Sequence, residues 1–175
     1  MKNKKIFWTT IFGTLICIAF AVLFFGVAFN DVNKPPIYFL ILGFAGSLTL
    51  ALLKQKKLRD VIFINILIYF FFALVSSFLK PITALILLIY FTAMVVAIYF
   101  YVKKFDKKLN RVPLARPLVL AAVMGLFYVA ANVGHGLLFI SHFTPRFLLA
   151  NLPIGFLLGL GYGLGSEISD RVLKK

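Results

Sequence analysis

Five polar residues with the chemistry to bind a ligand lie close together in the sequence: Asn132, His135, His142, Arg146 and Asn151. At 100° per residue of an α-helix, Asn132, His135 and His142 fall on one face within an arc of about 80°. Imidazole titrates near neutral pH, and a guanidinium carries a fixed positive charge that suits planar anionic groups. The sequence therefore predicts a binding pocket for a small molecule or an ion at these residues.

Metal, haem and triad chemistry fit the same residues poorly. His135 and His142 are the only histidines, and seven residues of helix separate them by about 10 Å, whereas zinc lies about 2 Å from each ligand. Ser141 and His142 are neighbours, so on a helix they point about 100° apart and do not form a catalytic triad. No P-loop, Gly-x-Ser-x-Gly or His-Glu-x-x-His motif occurs. We expect no catalytic residue, no metal ligand and no cofactor.

The elements that must hold the pocket are six long stretches without Asp, Glu, Lys or Arg. A hydrocarbon core about 30 Å thick needs roughly 20 apolar residues of helix, and each stretch approaches or exceeds that length. A composition of 62% hydrophobic residues is also far from that of soluble domains. The sequence predicts an all-α polytopic integral membrane protein with one transmembrane domain over 1–175. The predicted spans are approximately 6–29, 37–53, 61–79, 82–102, 117–140 and 147–165.

Basic residues are strongly sorted along the chain, and this sorting predicts the topology. All but three of the 19 Lys and Arg residues lie in the segments 1–5, 54–60, 103–116 and 167–175. The exceptions are Lys34, Lys80 and Arg146. Basic residues of short loops stay on the cytoplasmic side during insertion. The prediction is a bundle of six transmembrane helices, N-in and C-in, in a cell membrane that we take to be the bacterial cytoplasmic membrane.

The net charge of +14 has a use at the membrane surface. Each Lys or Arg near anionic lipid contributes about 1 kcal/mol of attraction. The lipid bilayer is therefore the expected partner, and nucleic acid is not. The first apolar run, 6–29, follows basic residues as a signal peptide does, but it exceeds the signal's apolar region of about 7–15 residues. We expect an uncleaved first helix.

The sixth predicted span carries two rows of glycines at four-residue spacing. We call Gly155, Gly159 and Gly163 the first glycine row, and Gly161 and Gly165 the second. Small residues let membrane helices approach closely, which predicts packing against a neighbouring helix, a membrane protein partner or a second copy of the chain. The alternative is an unwound segment, because glycine lowers helix propensity. Small residues on the fifth span favour close packing of helices 5 and 6.

Two further polar sets have structural interpretations. Asn65, Tyr69 and Ser76 share a face of the third span, which predicts a buried seam. Several aromatic residues lie near the predicted span ends, where an aromatic belt at the lipid headgroups explains them. They are Trp8, Tyr38, Tyr99, Tyr101 and Tyr162.

Three classes of function fit these observations. The first is a transport component with an outward-facing pocket on helices 5 and 6. In chain length and topology the protein is similar to the substrate-binding subunits of energy-coupling-factor importers, a likeness of architecture and not of motif. The second is a membrane enzyme that acts on a lipid or another amphiphile with His135, His142 and Arg146. The third is a non-catalytic assembly subunit held to its partners through the glycine rows.

Overall fold

The structure is a computed structural model that describes residues 2–28, 35–55, 58–77, 81–112, 114–139 and 145–173. These residues form six α-helices and no strand, which confirms the all-α prediction. The helices are α1 Lys2–Ala28, α2 Pro35–Lys54, α3 Leu58–Ser77, α4 Pro81–Tyr101, α5 Ala115–Phe139 and α6 Pro145–Val172. A π-helical turn, Val102–Asp106, extends α4, and a 3-10 turn, Lys108–Arg111, follows it. Three helices begin at a proline, a residue with no N–H to leave unpaired there.

Long apolar helices and an apolar exterior place this protein in a membrane. Within the described residues, three helices are long and apolar enough to span a bilayer: Asn3–Phe24, Leu88–Asp106 and Ala115–Gly136. A shorter apolar helix is Phe39–Lys54. The exposed faces carry large apolar side chains, above all on α3, while nine serine, threonine and asparagine residues are buried. Such a distribution would be unfavourable in water and is expected where lipid is the solvent.

The six helices form a ring in chain order. Each helix packs against the next, α6 returns to α1, and α2 also reaches α4 and α6 across the ring. The most extensive helix contact joins α5 to α6, which confirms the close packing predicted for that pair, and α1 with α6 is second. Consequently α6 lies between α5 and α1, and its contacts with these two helices close the ring.

The two glycine rows of α6 face two different helices of the same chain. A Cβ at Gly159, in the first row, would lie 2.7 Å from Cα of Ala121 on α5. A Cβ at Gly165, in the second row, would collide with the backbone of Gly13 on α1. The rows therefore let α5 and α1 approach the α6 backbone on separate faces. A partner at these rows stays a prediction, and these contacts do not depend on one.

α6 is one continuous helix from Pro145 to Val172, with Pro153 inside it. The alternative of an unwound glycine-rich segment is therefore wrong. The physical reason is that α5 and α1 pack directly against the glycines, so helical packing compensates for their low propensity.

Tyr162 joins α6 to the centre of the bundle. Its side chain is fully buried, and its hydroxyl donates a 2.8 Å hydrogen bond to the carbonyl oxygen of Leu42 on α2. The ring occupies the space left open by Gly46, where a Cβ would collide with it. Tyr101 is also buried, with 1% of its surface exposed. The aromatic-belt prediction is therefore wrong for Tyr162 and Tyr101.

Asn65 links α3 to α2 as part of the predicted buried seam. Thr49 donates a 2.9 Å hydrogen bond to Asn65 Oδ1, and Asn65 Nδ2 donates to the carbonyl oxygen of Val61 at 2.8 Å. Asn65 is buried and Tyr69 is half-buried, whereas the side chain of Ser76 is outside the described set. Asn65 thus holds α3 to the bundle, because a polar group in hydrocarbon gains most from an internal partner.

Candidate functional site

Four polar or aromatic side chains meet between α4 and α5, and we call them the α4–α5 polar cluster: Tyr90, Tyr128, Asn132 and His135. Tyr128, Asn132 and His135 occupy positions i, i+4 and i+7 of α5, which places them on one face. Tyr90 of α4 donates a 3.4 Å hydrogen bond to Asn132 Oδ1. Its ring centroid lies 6.2 Å from that of His135, edge to face, and 5.5 Å from that of Tyr128. Tyr90 therefore connects all three α5 side chains.

The hydroxyl of Tyr128 is buried and has no hydrogen-bond partner among the described residues. The base of its side chain packs against α6, since a Cβ at Gly155 would lie 2.7 Å from Cβ of Tyr128. A buried polar group without a partner costs about 1–3 kcal/mol. A side chain held in place while its hydroxyl lacks a partner is typical of a position that a ligand or an ordered water completes.

The cluster lies in the half of the bundle away from most of the basic residues. His135 is four residues, or about 6 Å, before the end of α5 at Phe139, and Tyr128 is about 16 Å before it. The cluster therefore forms a column that begins near one end of the bundle and extends to its middle. No Asp, Glu, Lys or Arg belongs to it.

The structure brings together two of the five residues predicted for the pocket. Asn132 is buried and His135 is half-buried, and both contact Tyr90. His142 lies outside the described residues. Arg146 and Asn151 are in the first turns of α6, but their side chains are outside the described set. For these three residues, membership of the pocket stays a prediction.

Sequence reasoning missed Tyr90 and Tyr128. Tyr128 had a readable signal, because it precedes Asn132 by four residues and His135 by seven on the same helical face. Tyr90 had none, since it comes from another helix and only the packing of α4 on α5 brings it to the cluster. The pocket was predicted on helices 5 and 6, whereas its two described residues, Asn132 and His135, lie at the contact between α4 and α5.

The opposite end of the bundle holds an ionic network, which we call the basic-end network: Lys5, Lys54, Asp106, Arg116 and Asp170. Lys54 lies 3.0 Å from Asp106 and donates a 2.9 Å hydrogen bond to Ser166 of α6. Asp170 forms an ion pair with Lys5 and lies 3.7 Å from Arg116. The network therefore joins α1, α2, the π-helical turn, α5 and α6 at one end.

Ion pairing in this network is partly shielded from solvent. The side chains of Lys54 and Asp106 are 12% and 19% exposed, and those of Arg116 and Asp170 are 13% and 21% exposed. Removing one partner from such a pair leaves an uncompensated charge, which is more costly than losing the pair as a whole. We therefore interpret the network as a clamp that holds the helix ends in register.

Among the described residues, two surface grooves lie outside the α4–α5 polar cluster. One, of about 190 Å³, runs between α3 and α4, and Asn65, Tyr69 and Thr92 are among its lining residues. The other, of about 390 Å³, runs between α1 and α2 near Asn3 and Leu48. Both are lined mainly by apolar side chains, so that lipid is the natural solvent for them.

Fold and surface together define a membrane-embedded helical protein with a polar interior cluster and an ionic clamp at one end. No protein-family model matches the sequence, and comparison with curated proteins and with solved structures finds no match.

Proposed function

We propose that the protein is a transport component that holds a small molecule at the α4–α5 polar cluster. The hydroxyl of Tyr128 carries this proposal. It is buried without a hydrogen-bond partner in the described part of the chain, its side chain is fixed at its base by Gly155, and its ring is adjacent to Tyr90. A bound molecule that accepts a hydrogen bond would satisfy it. Asn132 and His135 supply further polar groups toward the end of α5. The column that they form would give a ligand a route from one surface to the bundle interior.

The chemistry of the cluster favours an uncharged polar ligand over an inorganic ion. Its described side chains are two phenols, an amide and an imidazole, and none is a carboxylate or a guanidinium. A charge brought into low dielectric without an opposite charge is unfavourable. Aromatic walls with a few polar groups are instead typical of small-molecule pockets.

We further propose that the chain spans the membrane six times and that both termini lie in the cytoplasm. The basic-end network supports this arrangement, because it joins the start of α1, the end of α2, the turn after α4, the start of α5 and the end of α6. These positions belong to the four segments that hold most of the basic residues. The positive-inside rule then assigns that end to the cytoplasm. The cluster, in the other half of the bundle, would open outward.

Replacing Tyr128 with Phe tests the ligand site. We expect Tyr128→Phe to raise the stability of the ligand-free protein by about 1 kcal/mol, because the variant removes an unsatisfied buried hydroxyl. We also expect it to abolish thermal stabilisation by whichever compound stabilises the unmodified protein in a screen of uncharged metabolites. Both effects are measured by thermal unfolding in mild detergent.

Tyr162→Phe is the matched control, since it removes the same hydroxyl from a buried tyrosine that has a partner. Losing the hydrogen bond to Leu42 should lower stability by about 1 kcal/mol while leaving the response to the compound intact. The ligand site would be refuted if Tyr128→Phe destabilised the protein as Tyr162→Phe does, or if the response survived in Tyr128→Phe.

Thiol labelling of intact cells tests the topology. Cys17 is buried and is the only cysteine, so an introduced thiol is the one expected to react. A membrane-impermeant maleimide should label Lys80→Cys from outside, and it should label Lys107→Cys only after the cells are permeabilised. Labelling of Lys107→Cys in intact cells would overturn the proposed orientation.

A further inference from the structure

We propose that the groove between α3 and α4 binds one anionic phospholipid, with an acyl chain between the helices and the headgroup at two cations, Arg59 and Lys103. This inference depends on the membrane placement of α3 and α4 and is independent of the α4–α5 polar cluster. Its ligand differs from that of the cluster in chemistry and in position.

The groove has the dimensions and lining that suit a hydrocarbon chain. Its α4 wall extends from Leu88 to Val96, which is about 12 Å of helix. Its α3 wall begins at Ile62, and the rings of Tyr69 and Phe91 meet across it with centroids 6.2 Å apart. The polar groups of Asn65 are engaged with Thr49 and Val61, so they do not require a polar ligand.

Cations lie at the basic end of both walls. Arg59 is exposed and precedes Ile62 by three residues, on the side of α3 that continues into the groove. Lys103 follows Val96 by seven residues, and its ammonium lies over the ring of Tyr99, 5.7 Å from the centroid. Because the ammonium lies over Tyr99, the positive charge is about one helical turn past Val96 toward the basic end. Its depth is therefore similar to that of Arg59.

These features fit a phospholipid better than a protein helix. An apolar groove with a cation further along each of its two helices, toward the basic end, matches a molecule with a hydrocarbon tail and a phosphate at its end, since each surface Lys or Arg attracts anionic lipid. A helix in the groove would have to displace lipid from an equally apolar surface and would gain little without small residues at the contact. Apart from Thr92, the groove walls carry larger side chains, mostly Ile, Val, Leu, Tyr and Phe.

Native mass spectrometry tests the inference. The full chain is released from detergent that contains phosphatidylglycerol and phosphatidylcholine with identical acyl chains, and the retained lipids are counted. We expect one phosphatidylglycerol to be retained in preference to phosphatidylcholine. In the double variant Arg59→Gln/Lys103→Gln the retained fraction should fall about tenfold or more, given the attraction of each basic residue for anionic lipid. Thr92→Phe, which fills the groove and keeps both cations, should lower retention of both lipids.

Matched variants separate this site from general attraction to the basic surface. Lys107→Gln/Lys108→Gln removes the same charge from exposed residues beyond the π-helical turn, and it should leave retention unchanged. Leu126→Phe adds an aromatic ring to an exposed position of α5 and should also have no effect. Equal losses in the Lys107/Lys108 and Arg59/Lys103 variants, or equal retention of the two lipids, would overturn the inference. Thiol labelling reports separately on the topology.

Discussion

We expect Gly159→Ala to lower the stability of the protein by about 2 kcal/mol, although alanine is the better helix former. The added methyl would lie 2.7 Å from both Cα of Ala121 and the carbonyl oxygen of Leu120. Both are backbone atoms, so α5 and α6 must separate to admit it. Overpacking of this kind typically costs about 1–3 kcal/mol. Unfolding in detergent with increasing dodecyl sulfate, followed by circular dichroism, measures the difference.

Gly134→Ala supplies the matched control on α5. A Cβ at Gly134 would meet no atom within 4 Å, so the methyl enters open space. Here the helix propensity of alanine should dominate, with a gain of up to about 1 kcal/mol. The two substitutions are chemically identical and should change stability in opposite directions. The same sign in both would contradict the proposed role of the first glycine row.

We expect Lys54→Met to lower stability by about 2–3 kcal/mol, because it leaves Asp106 without its cation. Breaking a fully buried pair costs about 3–5 kcal/mol, and partial solvent access at this end of the bundle reduces that figure. The double variant Lys54→Met/Asp106→Asn should recover most of the loss, since neither charge then remains. A double-mutant cycle of unfolding free energies in detergent measures the coupling.

Lys107→Met removes a charge of the same type from an exposed position of the chain and should change stability by less than about 0.5 kcal/mol. Additive losses at Lys54 and Asp106, with no recovery in the double variant, would mean that the pair does not act as a clamp.

Helix content was readable from the sequence, because six apolar runs without formal charge leave few alternatives in a membrane. The α5–α6 contact was also readable from the small-residue spacing on both helices. The contact between α6 and α1 could not be predicted from the sequence. Gly161 and Gly165 face α1, which is far away in the chain, and glycine spacing identifies a packing surface without identifying its partner.

Tyr162 shows why the depth of a side chain is harder to predict. A tyrosine near a predicted span end fits an aromatic belt equally well whether it faces lipid or the bundle interior. Its burial depends on the gap at Gly46 and on the free lone pair of the Leu42 carbonyl oxygen, both on another helix. Tyr90 escaped prediction for the same reason.

The basic residues serve more than one purpose in the structure. Most basic residues lie in four segments of the sequence, and described residues of these segments meet in the basic-end network. Attraction to anionic lipid does not account for all of them, because Lys5, Lys54 and Arg116 pair with carboxylates of the protein itself. Counting charges along the sequence cannot tell a lysine that attracts lipid from one that pairs with an acid, because the paired acids, Asp106 and Asp170, lie on distant segments.

The two-sided packing of α6 has a consequence for biogenesis. Among the described helices α6 leaves the ribosome last, and α1, which leaves first, has one of its two main contact surfaces on α6. The inserted α1 therefore lacks its α6 contact surface until translation of α6 is complete. Contacts so distant in sequence slow assembly.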